Sequence, residues 1–383
     1  MKAEFRKPGL GVSYYRDLFP ITKECIYFNH AGTGPMSIPA QNAIAQCVAT
    51  YSKQAEFCTT DYFRLVKEAR SAVARLIRAD AREIVLTHNT SEGILIALLN
   101  LPLKPDDTVL VMNEVFPAVR YIVDNNLPHI NKKYIDFSGR DPVEVINQNM
   151  HSRVKAVVID YVQFLSGETI DLKRLGRMTR EKGIFLVVDG TQGIGALDYY
   201  AAIQNVDFLA CGAAKWLFGP SGAGFLYVNR SNFKKVGTLH AGWLGAHWTG
   251  FEDIAHCPEL YKDARKYELG TRNIMGIRAF HENINILLQF GMMNVETNIL
   301  RLKSLLRRYF EECRYDVLTP KAGLQSGIIT ARPVKGVKGL FKRLSADNII
   351  VSLRNRYLRF SPHFYNTEEE VRRITDTLYR CQA

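Results

Sequence analysis

Long apolar runs are missing from this 383-residue chain, and none approaches the ~18–20 residues that a membrane-spanning helix needs. The first residues, MKAEFRKPGLGVSYYRDLFP, lack an apolar h-region and a small-residue cleavage site, so no secretory signal is expected. The seven cysteines (25, 47, 58, 211, 257, 313 and 381) are odd in number and scattered. They form no CxxC or His/Cys pattern, which argues against a disulfide framework and a zinc site. A reducing, cytoplasmic compartment is the simplest reading. Internal repeats and low-complexity linkers are also absent.

Two glycine-rich stretches fail as nucleotide sites. GTQGIGALD (190–198) lacks the GxGxxG spacing, and the strand before it ends on an acid. GPSGAG (219–224) lacks the lysine and Ser/Thr of a P-loop. The formal net charge is +12 and the pI about 9.3. No RRM, zinc-finger or basic-helix pattern accompanies that charge, so it reads as a basic solvated surface without a nucleic-acid partner.

Hydrophobic residues make up 47% of the chain, enough for a sizeable core. Short apolar segments alternate with helical stretches: EIVLTH (83–88), TVLVMN (108–113), VKAVVIDYV (154–162), IFLVVDG (184–190), DFLACG (207–212) and GAGFLYV (222–228). This alternation predicts an α/β domain with a mainly parallel sheet covered on both faces. DLKRLGRMTREKG (171–183) predicts an amphipathic helix stopped by its glycine, and Asn89, Thr90 or Ser91 can cap a helix over EGILIALLNL. From about residue 263 the pattern becomes a long helical stretch, short strands and a last helix, predicting a smaller α+β domain. The expected division is an N-terminal segment 1–20 packing on the small domain, a large domain 21–262 and a small domain 263–383.

Ligands in such sheets sit beyond the carboxyl ends of the strands. Asn89–Thr90–Ser91, Glu114–Phe116, Gln163, Asp189 and Gln192 fall at those ends, with Lys215 nearby. Pyridoxal 5′-phosphate needs a lysine for its Schiff base, an acid on its pyridine nitrogen, and backbone amides at a helix N-terminus for its phosphate. Lys215 follows Asp189 by 26 positions, and NTSEG opens a helix after an earlier strand. The three parts are present in a workable order.

In combination, IYFNHAGTGP (26–35), VVDGTQGIGALD, KWLFGPSGAGFLYV, ELGTRNIMGI and RFSPHFYNTEEEV (359–371) resemble the class V aminotransferase family of pyridoxal phosphate enzymes. That family holds cysteine desulfurases, selenocysteine lyases, kynureninase and isopenicillin N epimerase-like enzymes. The resemblance implies fold type I, with a large domain built on a mainly parallel seven-stranded sheet and a smaller α+β C-terminal domain. It makes Lys215 the Schiff-base lysine, Asp189 the acid on the pyridine nitrogen, and Gln192 the donor to the ring hydroxyl. Thr90 and Ser91 match the phosphate-binding turn, and Phe116 the position that stacks on the ring. Thr271 matches a residue reaching the phosphate of a neighbouring subunit, which implies a homodimer with sites at its interface. Arg359 matches the arginine that pairs with the substrate carboxylate, a role open also to Arg354 and Arg356. Asn29, His30 and Ala31 match the loop lining the substrate pocket.

The chain departs from that pattern in two places. Many relatives carry histidine just before the lysine and serine two positions earlier; here those positions are Ala214 and Gly212. Cysteine desulfurases carry a nucleophilic cysteine on a loop shortly before the carboxylate-binding arginine. Here no cysteine lies between Cys313 and Cys381, and VSLRNRYLRFSP leaves no room for that loop. The expected function is a pyridoxal phosphate enzyme acting on a small amino acid through an external aldimine and an α-carbanion. A lyase or epimerase of the isopenicillin N epimerase-like branch is favoured over a persulfide-forming desulfurase. An aminotransferase and a catalytically silent binding protein are the alternatives.

Overall fold

The computed structural model describes residues 11–54, 59–137, 139–248, 255 and 257–380. Cys58 and Cys381 lie outside the described residues, as do the first ten positions of the expected N-terminal segment. The central strands are β1 (Ile84–Thr87), β2 (Thr108–Met112), β3 (Asn131–Ile135), β4 (Val154–Asp160), β5 (Phe185–Asp189), β6 (Phe208–Gly212) and β7 (Gly224–Val228). They form one seven-stranded sheet in the order β1-β7-β6-β5-β4-β2-β3. β7 runs antiparallel to β1 and β6, and the other pairings are parallel.

The Val, Ile and Leu runs explain this sheet. β1, β2 and β7 are buried at every position, because helices cover both faces. β3 was not anticipated. Its sequence, NKKYI, has exposed and half-buried positions alternating along an edge strand. Lysines there discourage further strand pairing and also hide the strand from a search for apolar runs.

A second, antiparallel sheet is built from β8 (Asp316–Val317), β9 (Ile329–Arg332), β10 (Ser352–Arg354) and β11 (Tyr357–Phe360), in the order β10-β11-β9-β8. Asn355 and Arg356 join β10 to β11 with φ of 45° and 65°, the left-handed pair of a two-residue hairpin. Nearby, Ile26–Tyr27 pairs in parallel with Ile349–Ile350.

The two hydrophobic cores do not divide at residue 263. The helix Ile274–Phe290 packs on the helices Ile38–Gln54 and Thr59–Leu76, and its buried face belongs to the first core. Gly291, at φ 89°, then turns the chain into the helix Met292–Glu312. Val295 and Ile299 of that helix still join the first core, whereas Leu302, Leu306 and Phe310 join the second with Ile26 and Phe28. The N-terminal helix touches both. Tyr15 packs edge-on against Phe290 and Phe364, and Arg16 pairs with Glu370 at 2.8 Å.

This topology brings the carboxyl ends of β4, β5 and β6 to one edge, where Asp160, Asp189 and Ala210 stand in register. The loop after β6, which carries Lys215, is clamped by glycine. Gly34 donates its N–H to Ala214 O at 2.8 Å, and a Cβ there would meet Lys215 O at 2.1 Å and Phe218 Cα at 3.0 Å. Gly339, inside the helix Val337–Ala346, has nothing within 4 Å of such a Cβ. Gly34→Ala is therefore expected to destabilise by about 1–3 kcal/mol through overpacking. Gly339→Ala is expected to stabilise by about 0.5–1 kcal/mol through helix propensity. Urea unfolding of the two variants beside the parent checks both signs.

Candidate active site

Beyond the strand ends lies a cavity of about 250 Å³. Thr90, Ser91, Phe116, Asp189, Gln192 and Lys215 all line it, so six of the sequence-predicted residues converge. Asp160, Thr191, Phe164 and His88 line it as well and were not singled out beforehand.

Lys215 sits half-buried in the loop after β6, with its Nζ 5.1 Å from the centroid of the Phe116 ring. Burial pushes its amine below the ordinary lysine range; Arg359 adds to that, while Asp189 and Asp160 oppose it. Asp189 is buried at the end of β5, and burial pushes its carboxyl up. Thr191 acts against that shift with its backbone N–H, 2.9 Å from Asp189 Oδ1, and with its hydroxyl. Behind Thr191 the bonds continue. Thr90 Oγ1 lies 2.7 Å from Thr191 Oγ1 and accepts the Gly212 N–H at 2.8 Å. The Asp189 carboxylate can only accept, so Thr191 gives it its hydroxyl proton and takes that of Thr90, which in turn accepts the Gly212 N–H.

Gly212 thus has a local reason to lack a side chain, since a Cβ would stand 3.1 Å from Thr90 Oγ1. The Thr90 hydroxyl is committed to this relay. Ser91, next to it on the first turn of the helix Thr90–Leu99, makes no side-chain hydrogen bond among the described residues. Asn89 is the residue that caps this helix, accepting the Glu92 N–H at 2.9 Å. Glu92 does more than complement the helix dipole. It pairs with His88 Nδ1 at 2.9 Å and with the buried Arg272 at 3.3 Å. His88 is consequently an imidazole on the cavity wall, whereas His240 and His247 do not line it.

Gln192 is held from both ends of its amide. Nε2 donates to Ala31 O at 3.0 Å, and Oε1 accepts the Trp216 indole N–H at 2.9 Å. One Nε2 hydrogen remains for a ring hydroxyl.

Asn29, His30, Ala31, Thr271, Arg354, Arg356 and Arg359, the other residues to which the resemblance assigns roles, do not line the cavity. Ala31 touches it only through Gln192, and Asn29 Oδ1 accepts the Ser352 hydroxyl. His30 stands away from the cavity lining. It is fully buried, with Nδ1 2.8 Å from Ser361 O and Nε2 2.7 Å from Tyr365 Oη, and burial pushes it down to about 3. Both ring nitrogens are used in fastening the N-terminal loop to the C-terminal segment. Arg359 is buried behind Phe164, donating Nη1–H to Phe164 O at 2.6 Å, while its Nε has no partner among the described residues. Arg354 and Arg356 are exposed at the hairpin tip. Thr271 is exposed, and the N-cap of the helix Ile274–Phe290 is Asn273.

No group of three or more His, Cys, Asp or Glu among the described residues can hold a metal ion. No helix among them is long and apolar enough to cross a membrane.

The chain is similar to known proteins over nearly its whole length. The chain is 24% identical over 369 residues to an uncharacterized aminotransferase, YcbU, of Bacillus subtilis, covering 95% of this chain and 96% of that protein. A probable cysteine desulfurase of Methanothermobacter thermautotrophicus is 25% identical over 394 residues, covering 95% and 96%. Among solved structures, a mutant of C-DES with glycine covalently linked to its PLP cofactor superposes with a TM-score of 0.88 at 19% identity, over 95% of this chain and 98% of that one. That likeness establishes the fold as the type I fold expected from the sequence. The aminotransferase class-V family model matches residues 26–374, and with that match over the fold and cavity just described, the chain belongs to the class V aminotransferase family.

Proposed function

We propose that the cavity binds pyridoxal 5′-phosphate on Lys215 and that the chain is a lyase or epimerase acting on a small amino acid. The observation that carries this reading is the placement of Lys215. Its depressed amine stands beside a buried carboxylate, over an aromatic ring and near the N-terminus of the helix Thr90–Leu99. The residues fit the cofactor. The first-turn amides of that helix and the unbonded Ser91 hydroxyl suit a phosphate, and the 40% exposed Phe116 offers a face to a flat ring. Asp189, supported by the threonine relay, suits a protonated ring nitrogen.

Pyridoxal 5′-phosphate is the cofactor of this family member, and when bound it supplies an electron sink conjugated to the substrate α-carbon. The chain's own residues do the rest. Lys215, its amine pushed below the ordinary lysine range by burial, removes and returns the proton at that carbon. Arg359 lies behind Phe164 outside the cavity lining, and its Nε–H, unpartnered among the described residues, is the donor left for a substrate carboxylate. Phe116 and Phe164, packed edge-on with centroids 5.5 Å apart, keep water from one side. Thr271, exposed on this protomer, serves the phosphate of a second copy in a homodimer.

A persulfide mechanism is disfavoured on two grounds. The Asn355–Arg356 turn joins β10 directly to β11, leaving no loop ahead of Arg359. None of Cys25, Cys47, Cys211, Cys257 or Cys313 lines the cavity, and burial pushes the Cys211 thiol far up. An aminotransferase remains the second reading, since the same lysine moves the same proton and only the site of its return differs.

Borohydride treatment of the yellow holoprotein should fix the cofactor on the Lys215 peptide, and Lys215→Ala should lose both the label and the visible band. An unchanged spectrum in Lys215→Ala would overturn the reading. The capture of cofactor should also depend on pH with a definite sign. Only the neutral amine attacks an aldehyde, so capture rises as pH climbs through the Lys215 pKa. Asp189 holds that pKa up and Arg359 holds it down. The midpoint of capture is expected to move to lower pH in Asp189→Asn and to higher pH in Arg359→Gln, read by stopped-flow absorbance. A screen of L- and D-amino acids, cystine and kynurenine with mass detection should yield a β-elimination product or an inverted α-carbon. A keto acid formed with the amino form of the cofactor would favour the aminotransferase.

A further inference from the structure

The cavity holds a second carboxyl that the proposed function does not use. Asp160 ends β4 as Asp189 ends β5, and the two are register partners on adjacent parallel strands. Asp160 is 3% exposed, yet it lines the cavity. Among the described residues its only hydrogen bond is from the Phe116 N–H to Oδ2 at 3.1 Å, and Oδ1 has no partner.

The surroundings of the two acids are unequal. Asp189 receives the Thr191 N–H, the Thr191 hydroxyl and, through the relay, the polarity of the Gly212 amide. Asp160 receives one amide. Lys215 is the basic group that acts on both. Two neighbouring buried carboxyls do not both ionise at neutral pH, and the proton settles where the charge is least supported. Burial and the Asp189 charge both push the Asp160 carboxyl well above the usual range.

We infer that Asp160 is a further cofactor-contacting residue, a neutral carboxylic acid whose Oδ1 side presents an O–H donor to the ring of the bound cofactor. Such a donor complements Gln192, one of whose two amide hydrogens is taken by Ala31. It also leaves Asp189 as the charged member of the pair. A second anion there would instead repel the cofactor's phenolate oxygen. The inference rests on the pyridoxal phosphate reading of the same cavity.

The test uses the full chain with added pyridoxal 5′-phosphate and two variants. Asp160→Asn keeps a neutral donor, and Asp160→Ala removes it. Asp160→Asn should bind cofactor within about threefold of the parent, and Asp160→Ala should bind about tenfold more weakly, the factor a single lost hydrogen bond is worth. The visible band should move in Asp160→Ala and stay in Asp160→Asn. Infrared difference spectra of the apoprotein, parent minus Asp160→Asn at neutral pH, should contain the C=O stretch of a protonated acid. That measurement needs neither cofactor nor activity. Equal weakening in both variants, or an ionised carboxylate signature in the parent, overturns the inference. Failure of the parent itself to take up cofactor overturns the functional reading instead, so the two failures are distinguishable.

Discussion

The site is built around one carboxyl in a place that penalises charge. Asp189 ends the central strand of a sheet covered on both faces, where burial alone drives a carboxyl toward its neutral form. The chain opposes that tendency with directed hydrogen bonds. Thr191 gives both its N–H and its hydroxyl proton to Asp189, Thr90 gives its proton to Thr191, and the Gly212 N–H is donated to Thr90. Three elements supply those groups: the end of β6, the start of the helix after β1, and the turn after β5. Parallel strand order is what brings these ends together, so the fold and the charge state are one problem.

The lysine is placed by the backbone around it more than by its own contacts. Gly34 packs on the Lys215 carbonyl, and the neighbouring Trp216 is fully buried with its indole held by Gln192. The Trp216 carbonyl in turn accepts from His363, and His30 is tied to Ser361 and Tyr365. One buried cluster therefore joins the N-terminal loop, the lysine loop and the segment after β11. Neutral histidines suit it, because burial holds both His30 and His363 below their ordinary range. A charged His30 would lack a counter-ion there.

The apolar strands and the residues at their ends were legible in the sequence because burial on both faces leaves continuous Val/Ile/Leu runs, and those runs stop where chemistry begins. Asp189, Gln192, Lys215, Phe116, Thr90 and Ser91 were found that way. β3 was not, since a polar edge strand carries no such run. The division between the cores was not legible either: Ile274–Phe290 and Met292–Glu312 read as one long helix, and only Gly291 and the packing of Val295 and Ile299 show where each part belongs. Asp160 left a signal that passed unused. VVID and LVVD are near copies on neighbouring strands, and parallel register makes their terminal acids neighbours. Thr191 and His88 gave no such sign, because their roles arise from contacts with Thr90 and Glu92 across the fold.

The same logic of incompletely supported charge applies to Arg359. The two-residue turn at Asn355–Arg356 fixes the register of β10 and β11, setting Arg359 opposite both Ser352 and Thr330. There the residue is 3% exposed, and burial pulls its guanidinium down to about 10, a value at which it stays charged at neutral pH. The protein gives it the Phe164 carbonyl and a distant Ser352 hydroxyl at 3.4 Å, with no carboxylate in contact and Nε unpartnered among the described residues. A buried cation with spare donors is costly until an anion arrives. In the proposed function that anion is the substrate carboxylate, and the desolvation already borne by Arg359 is what makes its binding selective for one.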